Sequence, residues 1–294
     1  MLNTHKKEIQ VRARLLSIVI FLFASFFLQI GTESNAYGTK GESVFYLVSV
    51  GVGDGDLITV RAINTIKKSD VIVCRQKTKE KLAEYLKGKE FLDSSMGRRY
   101  SKKDRSKLKD EEKKARSEER RKRREKLVSK IRSQIDRGKT VSVLDSGDPL
   151  IYGPKAWYLE EFKDLNPIVI PGVSCFNAAN AALCKSITSG KETHSVVLTS
   201  GRDIEKMSGH HPTMVIFTMK TKFKDLITKL KKSYPPQCPI AIVVYAGYKE
   251  KERVIEGTLE SIMDKVGDEK LPFEHLIYVG DFLTNRYDRA NKEK

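Results

Sequence analysis

Apolar residues along the chain fall into short β-branched runs, separated by glycine-bearing polar loops and by stretches with helical spacing. Val44 to Val50, V-F-Y-L-V-S-V, reads as a strand and is followed by the loop Gly51-Val52-Gly53-Asp54-Gly55-Asp56. Leu57, Val60, Ile63 and Ile66 recur every third residue, which predicts a helix beginning just past that loop, and Val71-Ile72-Val73 predicts the next strand. The same order returns at Val141 to Leu144, where a buried strand stops at Ser146-Gly147-Asp148-Pro149 and Trp157, Leu159 and Phe162 follow at helical spacing. Gly147 permits dihedrals closed to other residues, Pro149 fixes its own φ, and Asp148 can turn its carboxylate onto nearby amides. Such a loop sits at the carboxyl edge of a sheet, where open α/β folds bind ligands.

The second half repeats the pattern. Pro167 to Ile170 predicts a strand running into Pro171-Gly172-Val173-Ser174-Cys175-Phe176, and Ala178 to Leu183 predicts a close-packing helix of small residues. Further strands are predicted at Ser195 to Leu198, Met214 to Thr218, Ile240 to Tyr245 and Leu276 to Val279, with a helix from Lys222 to Lys232. The fold class is therefore α/β, in two α/β domains over residues 43–171 and 172–294.

Two segments depart from this alternation. Residues 1–36 carry Lys6, Lys7, Arg12 and Arg14 ahead of a charge-free apolar run from Leu15 to Ile30, then Ser34-Asn35-Ala36. This is the layout of an export signal, removed after Ala36 or kept as an anchor through residues 15–30, and it predicts an exported, periplasmic or membrane-anchored protein. An N-terminal segment that does not function as a signal would leave the chain cytoplasmic. The second departure is Lys77 to Arg137, whose centre is nearly devoid of aliphatic residues. Opposite charges at i,i+4 favour an exposed helix there, with Leu127, Ile131 and Ile135 resuming apolar spacing at its end. Residues 94–130 read as an insertion, a solvated helix or partly disordered, peripheral to the cleft that the strand-end loops would line.

Charge sharpens the picture of that insertion. The chain of 294 residues has a formal net charge of +17, and Arg98 to Lys126 alone holds 16 Lys/Arg against 7 Asp/Glu. Only Tyr100 interleaves an aromatic ring with those charges, which argues against nucleic acid as the partner. Cys74, Cys175, Cys184 and Cys238 show no metal spacing, and His210-His211 are adjacent rather than one helical turn apart, so no metal site is predicted. In the first loop, the two aspartates oppose a phosphate and suit a cofactor carrying positive charge and a ribose.

Taken in order, G-V-G-D-G-D-L-I-T, S-G-D-P-L-I-Y-G, I-P-G-V-S-C-F-N-A-A-N-A-A-L, V-I-F-T-M-K, P-I-A-I-V-V-Y-A-G and the G-T-L at Gly257 to Leu259 resemble the tetrapyrrole methylase superfamily, which includes precorrin and uroporphyrinogen-III methyltransferases. The first loop is about two residues shorter than the family's usual pattern and lacks its proline. The resemblance implies two α/β domains with S-adenosyl-L-methionine in the cleft between them, a homodimer, and methyl transfer to a tetrapyrrole. Its cofactor contacts carry over to Gly53 or Asp54 in the first loop, to Gly147, Asp148, Pro149 and Ile151, to Ser174 and Cys175, to Met219, and to Ala246. No catalytic side chain is assigned, because positioning rather than acid or base chemistry carries such a transfer. Two other functions stay open: an exported noncatalytic protein binding a tetrapyrrole or another small ligand on the same fold, and an RNA ribose methyltransferase using the basic insertion.

Overall fold

The computed structural model describes residues 44–95, 109–191, 194–219 and 221–284. The predicted export segment and residues 98–108 of the basic stretch lie outside the described residues. Among the described residues no helix is long and apolar enough to cross a membrane.

The first sheet is wholly parallel. Its strands are β1 (Phe45–Ser49), β2 (Val71–Cys74), β3 (Glu90–Asp93), β4 (Val141–Asp145) and β5 (Ile168–Ile170), in the order β3-β2-β4-β1-β5. Alternation along the strands sends Phe45, Leu47, Val71, Val73, Val141 and Val143 to one face and Val48, Ile72 and Leu144 to the other. Both faces are covered, as parallel sheets require. Helix α1 (Val60–Lys68) covers the second face through Ala62 and Ile66. It starts later than the apolar spacing predicts, because Gly55–Leu57 forms a 3₁₀ turn and Thr59 caps the helix by accepting from the Ala62 amide. The short α2 (Gln76–Lys81) follows β2.

The first face is covered by α3 (Asp110–Ile135) and α4 (Trp157–Glu161). From Asp110 onward the basic stretch is thus a continuous helix. Its early turns are exposed and laced by pairs such as Arg121 with Glu118 and Glu125, while Leu127 and Ile131 reach the core. No break separates the insertion from the core helix at residue 130. Strand β3 has no counterpart in the sequence reading, since Glu90-Phe91-Leu92-Asp93 is flanked by polar residues and too short to show a period.

The second sheet is mixed, with β6 (Val196–Ser200), β7 (Thr213–Phe217), β8 (Pro239–Val244), β9 (Arg253–Thr258) and β10 (His275–Val279) in the order β6-β7-β10-β8-β9. Only β6 and β7 pair parallel. Helix α5 (Cys175–Leu183) lies on one face, while α6 (Ile204–Met207), α7 (Phe223–Leu230) and α8 (Ile262–Val266) lie on the other. The alanines of α5 permit close approach, and Tyr278 of β10 donates to Asn180 Oδ1 on that helix at 2.8 Å.

Candidate functional site

Strands β1 and β4 run in register, Ser49 opposite Asp145, so their outgoing loops leave the sheet side by side. Those loops are tied at once. The Val50 amide donates to Asp145 O (2.8 Å) and the Gly147 amide to Gly51 O (3.2 Å), while Ser49 Oγ donates to Gly147 O at 2.5 Å. Gly172, in the loop after β5, presses onto the same serine, since a Cβ there would fall 2.1 Å from Ser49 Oγ. Ser49 is fully buried and joins three strand-end loops of the first sheet.

These loops also meet the second sheet. Gly53, at φ +60°, lies so close to the loop after β8 that a Cβ would stand 1.9 Å from Gly247 O. The next amide, that of Asp54, donates to this carbonyl over 2.8 Å. Asp54 Oδ2 in turn accepts from the Lys249 amide at 2.9 Å, and Asp56 pairs with Lys249 Nζ at 2.6 Å. That pairing holds the Asp56 carboxyl below its usual range. The two aspartates are therefore engaged by Lys249, where their charge suggested a cofactor's cation. Gly53 serves the contact between loops for the same reason.

The Gly147-Asp148-Pro149 loop faces the start of α5. Gly147, at φ +74°, leaves 3.9 Å between its missing Cβ and the Cys175 amide. Asp148 Oδ1 accepts from the Leu150 amide at 2.8 Å, so this carboxylate shapes its own loop. Pro149 is buried, and Gly153 closes the turn against Pro149 O. Ser174 is buried as the N-cap of α5, accepting from the Asn177 amide. Cys175 begins that helix, and burial pushes its thiol above the ordinary value. Ile151, Cys175 and Ala246 pack against one apolar cluster on the second sheet, which brings together three predicted positions from separate parts of the chain.

Backbone strain gathers at the same edge. Tyr152, Met219 and Tyr245 follow β4, β7 and β8, and all three hold positive φ of 46° to 54°. The ring of Tyr152 lies 4.7 Å from that of Phe217, the last residue of β7, which links the β4 loop to the end of β7 two residues before Met219. Leu150, Tyr152 and Met219 leave large apolar side chains exposed beside these polar loops. Strained, apolar-rimmed strand ends of this kind are where ligands bind.

Comparison with known proteins fits this arrangement. The model of the "Tetrapyrrole (Corrin/Porphyrin) Methylases" family matches residues 44–263. The chain belongs to that family. It is 27% identical over 259 residues to a cobalt-precorrin-4 C(11)-methyltransferase of Methanocaldococcus jannaschii, covering 84% of this chain and 90% of the relative. Its fold matches a solved cobalt precorrin-4 methyltransferase of cobalamin biosynthesis with a TM-score of 0.65 at 22% identity, over 84% of this chain and 99% of the other. It likewise matches a uroporphyrin-III C-methyltransferase from Thermus thermophilus, solved with S-adenosylhomocysteine, with a TM-score of 0.57 at 17% identity, over 82% and 98%. The two α/β sheets and their helices are the fold of this family.

Three residues of the site escape the sequence reading. Ser49 is the one polar position inside V-F-Y-L-V-S-V, which is its only signal. Lys249 looks like any surface lysine. Lys155, directly after Gly153-Pro154, is buried; its ammonium donates to Leu144 O and lies 3.8 Å from Asp145 Oδ1. Arg124 stacks 3.9 Å over Trp157 and pairs with Glu161 at 2.9 Å, which brings α3 against the helix that follows the Gly147 loop.

Proposed function

We propose that this chain is an S-adenosylmethionine-dependent methyltransferase acting on a tetrapyrrole. The observation that carries the reading is the convergence of the loops after β1, β4, β5 and β8 at one strained edge, in a chain matching the family model over residues 44–263. The groups at that edge suit such a cofactor. They are backbone amides and carbonyls, small side chains and an exposed apolar rim, with no activated nucleophile among them.

In this reading Gly147, Asp148, Pro149 and Ile151 form one wall of the cofactor site, Ser174 and Cys175 a second, and Met219 and Ala246 a third. Gly53 and Asp54 hold the walls together through Gly247 and Lys249. S-adenosylmethionine supplies a methyl group on a positively charged sulfur. The chain's own work is to orient the acceptor and to keep water out, which is where such a reaction gains its rate. The precorrin-4 C(11)-methyltransferase relative and the neighbour solved with S-adenosylhomocysteine support both acceptor class and cofactor. Incubation with S-adenosylmethionine and uroporphyrinogen III or cobalt-precorrin-4, read by mass spectrometry of the acceptor, tests it: each turnover replaces one proton by a methyl group, a net gain of CH2.

The reading includes a homodimer and export directed by residues 1–36. Light scattering of the purified chain tests the first, and intact mass of protein from periplasmic and membrane fractions tests the second. A chain beginning at Tyr37 is the expected product.

A further inference from the structure

The carboxyl edge of the first sheet holds a second feature. Beyond the ends of β2, β3 and β4 lies a cavity of about 320 Å³, lined on one side by the basic helix α3. Its floor is Lys155, Tyr158 and Ser94, all more than nine-tenths buried. The Tyr158 hydroxyl and Ser94 Oγ lack hydrogen-bond partners, although buried polar groups rarely go unpaired. Its walls are Arg75, Arg120, Arg121 and Arg124, and no carboxylate lines it among the described residues.

These cations are not equally spent. Arg121 is held by Glu118 and Glu125, and Arg124 by Glu161 and the Trp157 ring. Arg75 and Arg120 have no acidic partner among the described residues, and Lys155 spends one donor on Leu144 O while the Asp145 carboxylate stands 3.8 Å away. Two unpartnered hydroxyls, two open guanidiniums and the remaining donors of a buried ammonium form a donor set with room for an acceptor. A volume of this size, open to solvent beside the exposed Arg75 and Arg120, admits a carboxylate-bearing side chain. It has no row of exposed rings on which a nucleic acid would stack.

We propose that this cavity binds a carboxylate of the methyl acceptor, with Arg120 of the basic helix and Arg75 as its outer donors and Lys155, Tyr158 and Ser94 as its floor. Naming the ligand as an acidic tetrapyrrole rests on the function proposed above; the oxyanion site itself rests on the cavity. Gly147 to Lys155 is one connection, so the segment shaping the proposed cofactor wall also carries the buried lysine. The basic helix thereby acquires a task in recognition.

Trp157 lines the cavity and is the chain's one tryptophan, so its fluorescence reports on occupancy. Uroporphyrin III, a porphyrin bearing acetate and propionate groups, is titrated into the full chain with and without millimolar inorganic phosphate, and S-adenosylhomocysteine is titrated separately by calorimetry. The expected result is saturable quenching that phosphate does not reverse. Arg120→Ala and Arg75→Ala, both exposed positions, should each weaken uroporphyrin by at least ~10-fold while leaving S-adenosylhomocysteine affinity and thermal unfolding unchanged. Lys155→Met should abolish uroporphyrin binding if it folds, and the two arginine variants decide the matter if it does not. Equal uroporphyrin affinity in both arginine variants, displacement by phosphate, or no uroporphyrin binding by the wild type overturns the carboxylate site. Failure of S-adenosylhomocysteine alone overturns the methyltransferase reading and leaves this site standing.

Discussion

The amide of Asp54 donates to the carbonyl of Gly247 across 2.8 Å, and this bond joins a loop of the first sheet to a loop of the second. The two backbones come that close only because residue 53 has no side chain. Gly53→Ala would set a methyl 1.9 Å from Gly247 O at a φ of +60°, and neither backbone can yield without breaking the bond. Gly247→Ala meets the end of a flexible side chain, Leu57 Cδ1, at 2.6 Å. Both are strained by positive φ, so the comparison isolates the clash. Urea unfolding should show Gly53→Ala destabilised by about 1 to 3 kcal/mol, and more than Gly247→Ala. Equal losses would mean that the junction is looser than described.

Asp148 bonds its own loop, and that separates shape from charge. Asp148→Asn keeps an oxygen for the Leu150 amide, whereas Asp148→Ala leaves that amide without its partner. Calorimetric titration with S-adenosylhomocysteine should find the asparagine variant close to wild type and the alanine variant weaker, with about 1 kcal/mol of stability lost in the latter. A large loss in Asp148→Asn would show that the carboxylate charge itself is needed.

Helix α3 has two characters along one rod. Ile131 is fully buried against the first sheet, and Ile131→Ala should cost about 2 to 4 kcal/mol in chemical denaturation. Glu111, at the exposed end, should change stability by no more than ~0.5 kcal/mol on substitution by alanine. Comparable effects at the two positions would contradict the division of the helix.

Much of this was legible from local pattern. Val71 to Cys74 and Val141 to Asp145 are buried on both faces; the first is an unbroken apolar run, and the second sets Val141, Val143 and Leu144 around the single Ser142 before its closing aspartate. The loop at Gly147 is legible too, because glycine, aspartate and proline each have a local reason to be there. What stayed hidden depends on partners distant in sequence. Ser49 matters through Gly147 and Gly172, about a hundred residues away, and Lys249 through Asp54 and Asp56. Strands β3 and β9 were missed because Glu90-Phe91-Leu92-Asp93 and Arg253 to Thr258 are half-exposed edge strands, with little apolar periodicity to read. The arginines of α3 read as a solvated face until folding sets Arg120 and Arg124 beside Lys155.

Cys74 gives a signature in alkaline solution. Burial raises its thiol from 9.0 to about 11. A raised folded-state value means the folded chain holds its proton more tightly, so the contribution is complete below pH 9 and is lost as pH rises through about 11. Stability should fall across that window in the wild type and fall less in Cys74→Ala. In native protein below pH 9 a thiol reagent should modify the exposed Cys184 quickly and Cys74 only on unfolding. Fast labelling of Cys74 in folded protein would contradict its burial.

The edge joining Gly147, Cys175, Met219 and Ala246 is the proposed seat of S-adenosylmethionine. Calorimetric titration of the purified chain with S-adenosylmethionine and S-adenosylhomocysteine tests it most directly. Saturable binding at one site per chain is expected, weakened at least ~10-fold by Gly147→Val, whose side chain would intrude between Val52 and the Cys175 amide. Absence of binding by the wild type at millimolar concentrations of either compound would contradict it.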